Sequence, residues 1–338
     1  MAKIKLAING FGRIGRAVAR IAMERDNIDL VGINSGTDTK MYAHLFKYDS
    51  TQGTWDGDIK YTESSLIING HEVPVTGERT PLNIKWATQP DVVVEATGKF
   101  RKFESESGGY GDLLKTGAKK ILLTVPAKDD NAKMIVMGVN DDQITADDIC
   151  VSNASCTTNC IAPVVKVLEE KFGVVQGLMT TVHAYTLDQR ILDGSHKDYR
   201  RARAAAMSII PTTTGAAKSV GKVIPSLKGK LDGMAMRVPV PTGSIVDLNV
   251  ELKKEVTIED INSAMEEASR TNLQGILGYT EDPIVSCDII HDPLSSIFDA
   301  GLTMVMPDKR HAKVCAWYDN EWAYSVRVLD LVEKMFSF

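Results

Sequence analysis

Gly10-Phe11-Gly12-Arg13-Ile14-Gly15 follows at once on Lys3 to Asn9, which reads as a short buried strand. Arg16 to Arg25 then reads as a helix, and Ile28 to Asn34 as a second apolar strand. Strand, glycine-rich turn, helix and strand within ~30 residues fit a dinucleotide-binding βαβ unit. Each glycine has a physical reason. Gly10 permits the tight turn, Gly12 lets backbone approach a pyrophosphate, and Gly15 lets the helix pack on the strand.

The usual next feature of such a unit is an acidic residue at the end of the second strand, holding ribose hydroxyls. Here the sequence runs Asn34-Ser35-Gly36-Thr37-Asp38, with Ser35 at that position. Asp38 offers a carboxylate three residues on and equally reads as a loop or helix cap. Asn69-Gly70, inside Leu66 to Val75, signals a hairpin. Asp91 to Glu95 and Lys120 to Val125 read as strands whose C-terminal ends face a ligand crevice. Between them, Ser105 to Gly111 is rich in Gly and Ser and reads as a mobile surface loop.

With 338 residues the chain exceeds one ordinary domain and fits two. A formal charge of −5 gives no global positive field for nucleic acid or an anionic membrane. Five cysteines argue against a disulfide scaffold and for a reducing cytosol. Met1 to Leu6 is too short for a signal peptide, and no apolar run approaches the ~18 residues of a membrane span.

The stretch Ser152-Asn153-Ala154-Ser155-Cys156-Thr157-Thr158-Asn159-Cys160 lies between a strand-like segment, Asp148 to Val151, and an amphipathic one, Ile161 to Phe172. Asn153 or Ser155 can cap the helix, which places Cys156 in its first turn. Hydroxyl and amide residues flank this cysteine, which is poor chemistry for a core. The positive end of a helix stabilises a nearby anion by ~0.3–1 kcal/mol, and by about 2 when partly buried. A free thiol has a pKa of about 8.5, and one pKa unit is about 1.4 kcal/mol. The helix terminus therefore raises the thiolate fraction only a few-fold. Full activation needs a second cation, such as a protonated histidine. Cys156 and Cys160 lack the partners of a zinc site, so no metal is expected.

Gly177 to Val182 reads as a strand delivering His183. Tyr185 to Ala206 is polar and basic, and fits either a solvated face or a loop packing between subunits. Pro211-Thr212-Thr213-Thr214-Gly215 opens a helix at Ala216, where free amides suit an anion. Arg237, among Met and Val, needs an anionic partner. Thr257 to Thr271 reads as an amphipathic helix capped by Thr257, Lys313 to Trp317 as a strand, and Ser325 to Met335 as the closing helix.

Over nearly its whole length the chain resembles phosphorylating glyceraldehyde-3-phosphate dehydrogenases. The resemblance rests on Ala7 to Arg16, Lys47-Tyr48-Asp49-Ser50, Ser152 to Cys160, His183-Ala184-Tyr185-Thr186 and Arg200 to Ala205. It continues through Pro211 to Lys218, Met236 to Pro241 and Trp317 to Glu321. It implies an α/β fold, with a Rossmann-type doubly wound dinucleotide-binding domain and an α+β catalytic domain whose sheet is mostly antiparallel. It implies domains over 1–154 and 155–318, with 319–338 returning to the first. The implied reaction converts D-glyceraldehyde 3-phosphate and inorganic phosphate to 1,3-bisphosphoglycerate through a Cys156 thioester, with His183 as base.

By the same resemblance, Thr186 and Arg237 hold the substrate phosphate. Ser155, Thr157, Thr214 and Gly215 hold the attacking phosphate, and Arg201 serves either pocket. Gly10, Gly12, Arg13, Ile14, Arg79, Thr124 and Asn320 contact the cofactor, with Tyr324 near the nicotinamide. The family implies a cytoplasmic homotetramer needing neither membrane nor nucleic acid. The chain departs from the family at Ser35, commonly Asp, and at Gly194-Ser195, commonly Leu-Pro. With Ser195 reaching a neighbour's cofactor, both departures favour use of NADP alongside NAD. A sister enzyme, erythrose-4-phosphate dehydrogenase, shares Cys156 and His183 but releases an acid; the full second phosphate set favours the phosphorylating enzyme. A non-catalytic cofactor- or RNA-binding protein on this fold is disfavoured by the intact pair.

Overall fold

A computed structural model describes residues 3–36 and 38–338. Met1, Ala2 and Thr37, parts of two segments read above, lie outside them. The chain divides into two compact units. The first comprises Met1–Ile135, Asp141–Ala154 and Ser325–Phe338, and the second comprises Val136–Asn140 and Ser155–Tyr324.

The first unit carries β1 (Ile4–Asn9), α1 (Arg13–Ala22), β2 (Ile28–Asn34), α2 (Thr39–Lys47), β3 (Tyr48–Asp49), β4 (Gly53–Thr54), β5 (Ile59–Tyr61) and β6 (Ser65–Ile68). It continues with β7 (His71–Thr76), β8 (Val92–Glu95), α3 (Asp112–Lys115), β9 (Lys120–Leu123), β10 (Lys133–Met134) and β11 (Cys150–Ser152). The main sheet runs β10-β11-β9-β8-β1-β2-β7-β6-β5. It is parallel from β10 to β7 and ends in an antiparallel hairpin. Leu6, Ala7, Ile8, Val92, Val93, Val94, Ile121, Leu122 and Leu123 are fully buried. Strands buried on both faces read as continuous apolar runs, which is why these three were plain in the sequence. Strand order reverses between β1 and β8, so the glycine loop after β1 stands at the switch point where open α/β sheets bind ligands. Asn69 and Gly70 both take positive φ, 50° and 81°, as a two-residue hairpin turn requires.

The segment 105–111 is not the loose loop its composition predicts. Tyr110 is fully buried and its hydroxyl donates to Asp129 Oδ1 at 2.5 Å. A Cβ on Gly109 would lie 2.1 Å from the Phe103 carbonyl oxygen, and one on Gly111 2.8 Å from it. The glycines are there for close backbone packing. The last helix joins this unit through Arg25, whose guanidinium meets Asp330 at 2.7 Å and Glu333 at 3.0 Å.

The second unit carries α4 (Cys156–Phe172), β12 (Val174–Ala184), β13 (Ile210–Thr213), α5 (Ala216–Val223), β14 (Leu231–Val238), β15 (Ser244–Leu252) and α6 (Ile258–Arg270). Then follow β16 (Leu277–Thr280), β17 (Ser296–Val305), β18 (His311–Tyr318) and the start of α7 (Trp322–Met335). Its sheet, β13-β14-β12-β15-β18-β17-β16, is antiparallel except for β12–β14 and β16–β17. α4 buries Ile161, Ala162, Val165 and Leu168, the helical spacing that marks it in the sequence. Thr257 and Asp260 close a reciprocal capping box on α6.

Candidate active site

The turn into α4 is tightly specified. Ala154 has φ 54°, a left-handed conformation that costs a non-glycine residue and is kept where surrounding structure enforces it. Ser155 is the cap: its Oγ accepts from Thr158 N–H at 3.1 Å. Cys156 is therefore the first helical residue, at the positive end of a 17-residue helix. Cys160, one turn on, is fully buried with its sulfur 3.6 Å from Ser296 Oγ.

His183 Nε2 lies 3.5 Å from Cys156 Sγ. His183 Nδ1 is 2.7 Å from the Ala184 carbonyl oxygen and 2.5 Å from Arg237 Nη1, which also donates to that carbonyl at 3.0 Å. The pairing of imidazole and guanidinium follows from register. In the parallel ladder β12–β14, His183 stands beside Arg237, so both side chains leave one face of the sheet. Burial pushes the Cys156 thiol up, against the pull of the Arg237 charge and of Thr157. Burial and then the Arg237 charge push the His183 imidazole down to about 3, against the Ala184 carbonyl. Arg237 adds a cation near the sulfur, and its charge also sits against the ring. Arg237 Nε is buried with no hydrogen-bond partner, which leaves a charged donor awaiting an anion.

Around this pair, Tyr318 is a hub that the sequence reading gave no role. Its hydroxyl is 2.9 Å from both Thr157 Oγ1 and Thr181 Oγ1, and its ring meets His183 edge-on at 5.9 Å. Asn320 Oδ1 accepts from Ser244 Oγ at 2.8 Å, and Ser244 Oγ in turn accepts from Ala184 N–H at 3.1 Å. Arg201 bonds Asp188, Thr212 Oγ1 at 2.8 Å and the Thr213 carbonyl at 3.3 Å. That places it beside the strand leading to Thr214, whose hydroxyl accepts from Ala216 N–H, and to Gly215, the cap of α5. Thr186 N–H donates to Gln189 Oε1 at 3.1 Å. Tyr324 is buried in the first turn of α7. Ser195 belongs to a separate exposed segment, its carbonyl accepting from Arg190 Nε at 3.0 Å.

The first unit holds the glycine cradle. Gly10 has φ 102°, and a Cβ there would lie 2.7 Å from Thr97 N. A Cβ on Gly15 would lie 2.0 Å from the Gly10 carbonyl oxygen, so the helix can approach only without one. A Cβ on Gly12 would enter open space beside the uncapped start of α1, the room a pyrophosphate needs. These residues fit a dinucleotide. Ile14 follows Arg13 in that first turn, and Arg13 is held by Asp49 at 3.0 Å. Thr124 Oγ1 donates to the Glu95 carbonyl at 3.0 Å. Arg79 is exposed. Ser35 Oγ accepts from Phe11 N–H at 3.2 Å and from the Tyr42 hydroxyl, which leaves its own O–H with no acceptor among the described residues. Asp38 resolves as a cap: its Oδ1 accepts from Met41 N–H at 2.8 Å.

Among the described residues, no group of three or more His, Cys, Asp or Glu side chains is arranged to hold a metal ion, and no helix is long and apolar enough to cross a membrane. The family profile described as "Glyceraldehyde 3-phosphate dehydrogenase, NAD binding domain" matches residues 4–103. Its counterpart, "Glyceraldehyde 3-phosphate dehydrogenase, C-terminal domain", matches residues 155–320. The chain is similar to the glyceraldehyde-3-phosphate dehydrogenase of Borreliella burgdorferi, at 60% identity over 98% of this chain and 99% of the relative. It is 53% identical to glyceraldehyde-3-phosphate dehydrogenase 2 of Bacillus subtilis, over 98% and 97%. It is 50% identical to the chloroplastic glyceraldehyde-3-phosphate dehydrogenase A of Chlamydomonas reinhardtii, over 98% and 88%.

Proposed function

Because the chain belongs to the glyceraldehyde-3-phosphate dehydrogenase family and is an oxidoreductase acting on glyceraldehyde 3-phosphate, we propose that Cys156 is its nucleophile, His183 its base and Arg237 its anchor for the substrate phosphate. The observation that carries this is the 3.5 Å approach of His183 Nε2 to Cys156 Sγ, with Arg237 on the ring's other nitrogen.

The chemistry follows from these groups. Cys156 Sγ bonds to the aldehyde carbon, its proton passing through His183 Nε2 to the aldehyde oxygen, and a hemithioacetal forms. The Cys156 amide at the helix terminus steadies charge on that oxygen. His183 then takes the hydroxyl proton, and the carbon becomes a thioester. The nicotinamide ring of the cofactor, when bound, accepts the hydride released in this step. Inorganic phosphate bonds to the thioester carbon, and the sulfur leaves and recovers its proton from His183. The phosphate's own proton is the one released to solvent. Ser155, Thr157, Thr214, Gly215 and Arg201 are assigned to the incoming phosphate, and Thr186 to the substrate phosphate with Arg237.

Charge-assisted hydrogen bonds are worth roughly 1.5–3 kcal/mol each. Arg237→Ala should therefore lower kcat/KM for the triose phosphate by about 10- to 150-fold, and much less for unphosphorylated glyceraldehyde. Removing the charge beside the ring also lets the imidazole rise toward its ordinary range. The acid limb of the glyceraldehyde pH profile should then move to higher pH. Equal losses for both aldehydes, with no movement of that limb, would assign Arg237 to something else.

For the cofactor, the first unit binds NAD through Gly10, Gly12, Arg13, Ile14, Arg79 and Thr124; Asn320 and Tyr324 are assigned to the cofactor by family resemblance. Use of NADP alongside NAD is supported by the Ser35 hydroxyl, whose hydrogen has no acceptor among the described residues, and by Ser195. A homotetramer is supported by Leu187, Ile191, Leu192, Tyr199, Met207 and Ile209, all at least 66% exposed in the single chain. A cytosolic location is supported by five free cysteines.

A further inference from the structure

The first unit holds a cavity of about 370 Å³, of whose lining only Arg79 is assigned to the cofactor. Its wall carries five cations: Arg79, Lys99, Arg101, Lys102 and Lys128. The hydroxyls of Ser105 and Ser107 complete it. In a chain with a net charge of −5 this is a local reversal of sign. None of the five forms an ion pair with another described residue, although most other basic clusters in the chain are laced with carboxylates. Glu104 and Glu106 lie in the same stretch but not in the wall.

The wall is built rather than incidental. Arg101 Nε and Nη2 donate to the Pro126 carbonyl at 3.1 and 3.0 Å, which leaves Nη1 without an acceptor among the described residues. Lys128 N–H donates to the Arg101 carbonyl at 2.7 Å, and Phe103 N–H to Asp129 Oδ2 at 2.6 Å. These bonds stitch the strip that bears Lys99, Arg101 and Lys102 to the strip that bears Lys128. On the other side, Ser105 Oγ donates to the Gly108 carbonyl at 2.7 Å, and Gly108 has φ 98°. A Cβ on Gly108 would meet Pro81 at 3.0 Å and Phe100 at 3.4 Å. The Gly/Ser stretch read above as a surface loop is the turn that closes this wall.

We propose that the cavity binds a linear chain of two or more phosphates. Like charges gathered without carboxylates are stabilised by a multivalent anion, and several cations with two hydroxyls match several phosphoryl oxygens rather than one phosphate. The volume lies at the low end of ligand pockets, ~300–1,000 Å³, so it suits a short polyphosphate chain more than a whole dinucleotide. The chain comes either from an inorganic polyphosphate or from a nucleoside triphosphate. Through Arg79 the bound anion competes with the cofactor; that competition, though not the binding, rests on the cofactor role proposed for Arg79.

The test is calorimetric titration of the purified full-length enzyme with sodium tripolyphosphate at low salt. The parent should bind it saturably, one per chain, and orthophosphate far more weakly. Lys102→Ala with Lys128→Ala should weaken binding roughly ten- to a hundredfold, as expected for two lost charge-assisted contacts. The double arginine replacement should keep it. Without tripolyphosphate, KM for NAD should be unchanged in the alanine variant; with it, KM should rise in the parent only. A tighter fit for ATP than for tripolyphosphate assigns the chain to a nucleotide, and equal affinity to an inorganic polymer. Equal affinity of parent and alanine variant, or orthophosphate binding as tightly, overturns the proposal. So does single-stranded RNA that displaces tripolyphosphate at lower concentration and loses affinity in the same variant.

Discussion

His183→Ala is expected to lower kcat with glyceraldehyde 3-phosphate by about 10²- to 10⁴-fold, the range that one positioned acid–base group supplies. The same change should slow alkylation of Cys156 and leave Cys287 unaffected. The reasoning runs through the electrostatics of the pair. Burial holds the Cys156 thiol up, against the pull of Arg237 and Thr157, so its attack gains from a neighbour that takes the proton. The imidazole, pushed down by burial and then by Arg237, lies 3.5 Å from the sulfur and is placed to take the proton. Three other cysteines are poor competitors. Burial pushes Cys150 to about 12 and Cys315 to about 11, and Cys160 is raised as well. Cys287 is exposed and serves as the internal control. In the folded parent, an alkylating reagent at neutral pH should mark Cys156 first. Equal labelling of all five cysteines, or a His183→Ala variant with parental turnover, would remove His183 from the base role.

Ser35→Asp is expected to cut kcat/KM for NADP by up to roughly a thousand-fold while sparing NAD. Two like charges ~4 Å apart cost about 1 kcal/mol in water and about 4 at an effective dielectric of 20. Each 1.4 kcal/mol is about tenfold. A carboxylate at position 35 would oppose a 2′-phosphate by that amount. The structure also makes the substitution a clean one. Phe11 N–H and the Tyr42 hydroxyl both donate to the Ser35 oxygen, so both can donate to a carboxylate there. In the parent those two donors occupy the oxygen as acceptor and leave the Ser35 hydrogen free for a phosphoryl oxygen. Asp38, the other carboxylate at the strand end, is committed to capping α2. A parent that prefers NAD by more than about a thousand-fold, or a variant with unchanged NADP use, would contradict this.

Much of the architecture is legible in residue pattern because its causes are local. The apolar runs of β1, β8 and β9 are buried on both faces, and Gly10 and Gly15 of the first turn each meet a distance that forbids a side chain. Ser155 caps α4 and Thr257 caps α6 by chemistry visible three residues ahead. What the sequence hides is long-range. His183 and Arg237 are 54 residues apart, and only the parallel register of β12 on β14 sets them side by side. That contact sets a guanidinium charge against the imidazole ring. Tyr318 joins Thr157 and Thr181 across 161 and 137 residues, so no spacing rule points to it. Gly109 and Gly111 read as loop residues because glycine serves both flexibility and close packing, and only the Phe103 carbonyl beside them decides which.

The central claim is that Cys156 carries the substrate as a thioester which phosphate releases. Enzyme mixed with glyceraldehyde 3-phosphate and NAD in phosphate-free buffer, quenched in acid and digested, should yield the Cys156 peptide heavier by one 3-phosphoglyceroyl group. Adding inorganic phosphate before the quench should discharge that group as acyl phosphate, and Cys156→Ser should never acquire it as a thioester. An unmodified Cys156 peptide during active turnover, or the acyl group on another residue, would contradict the account.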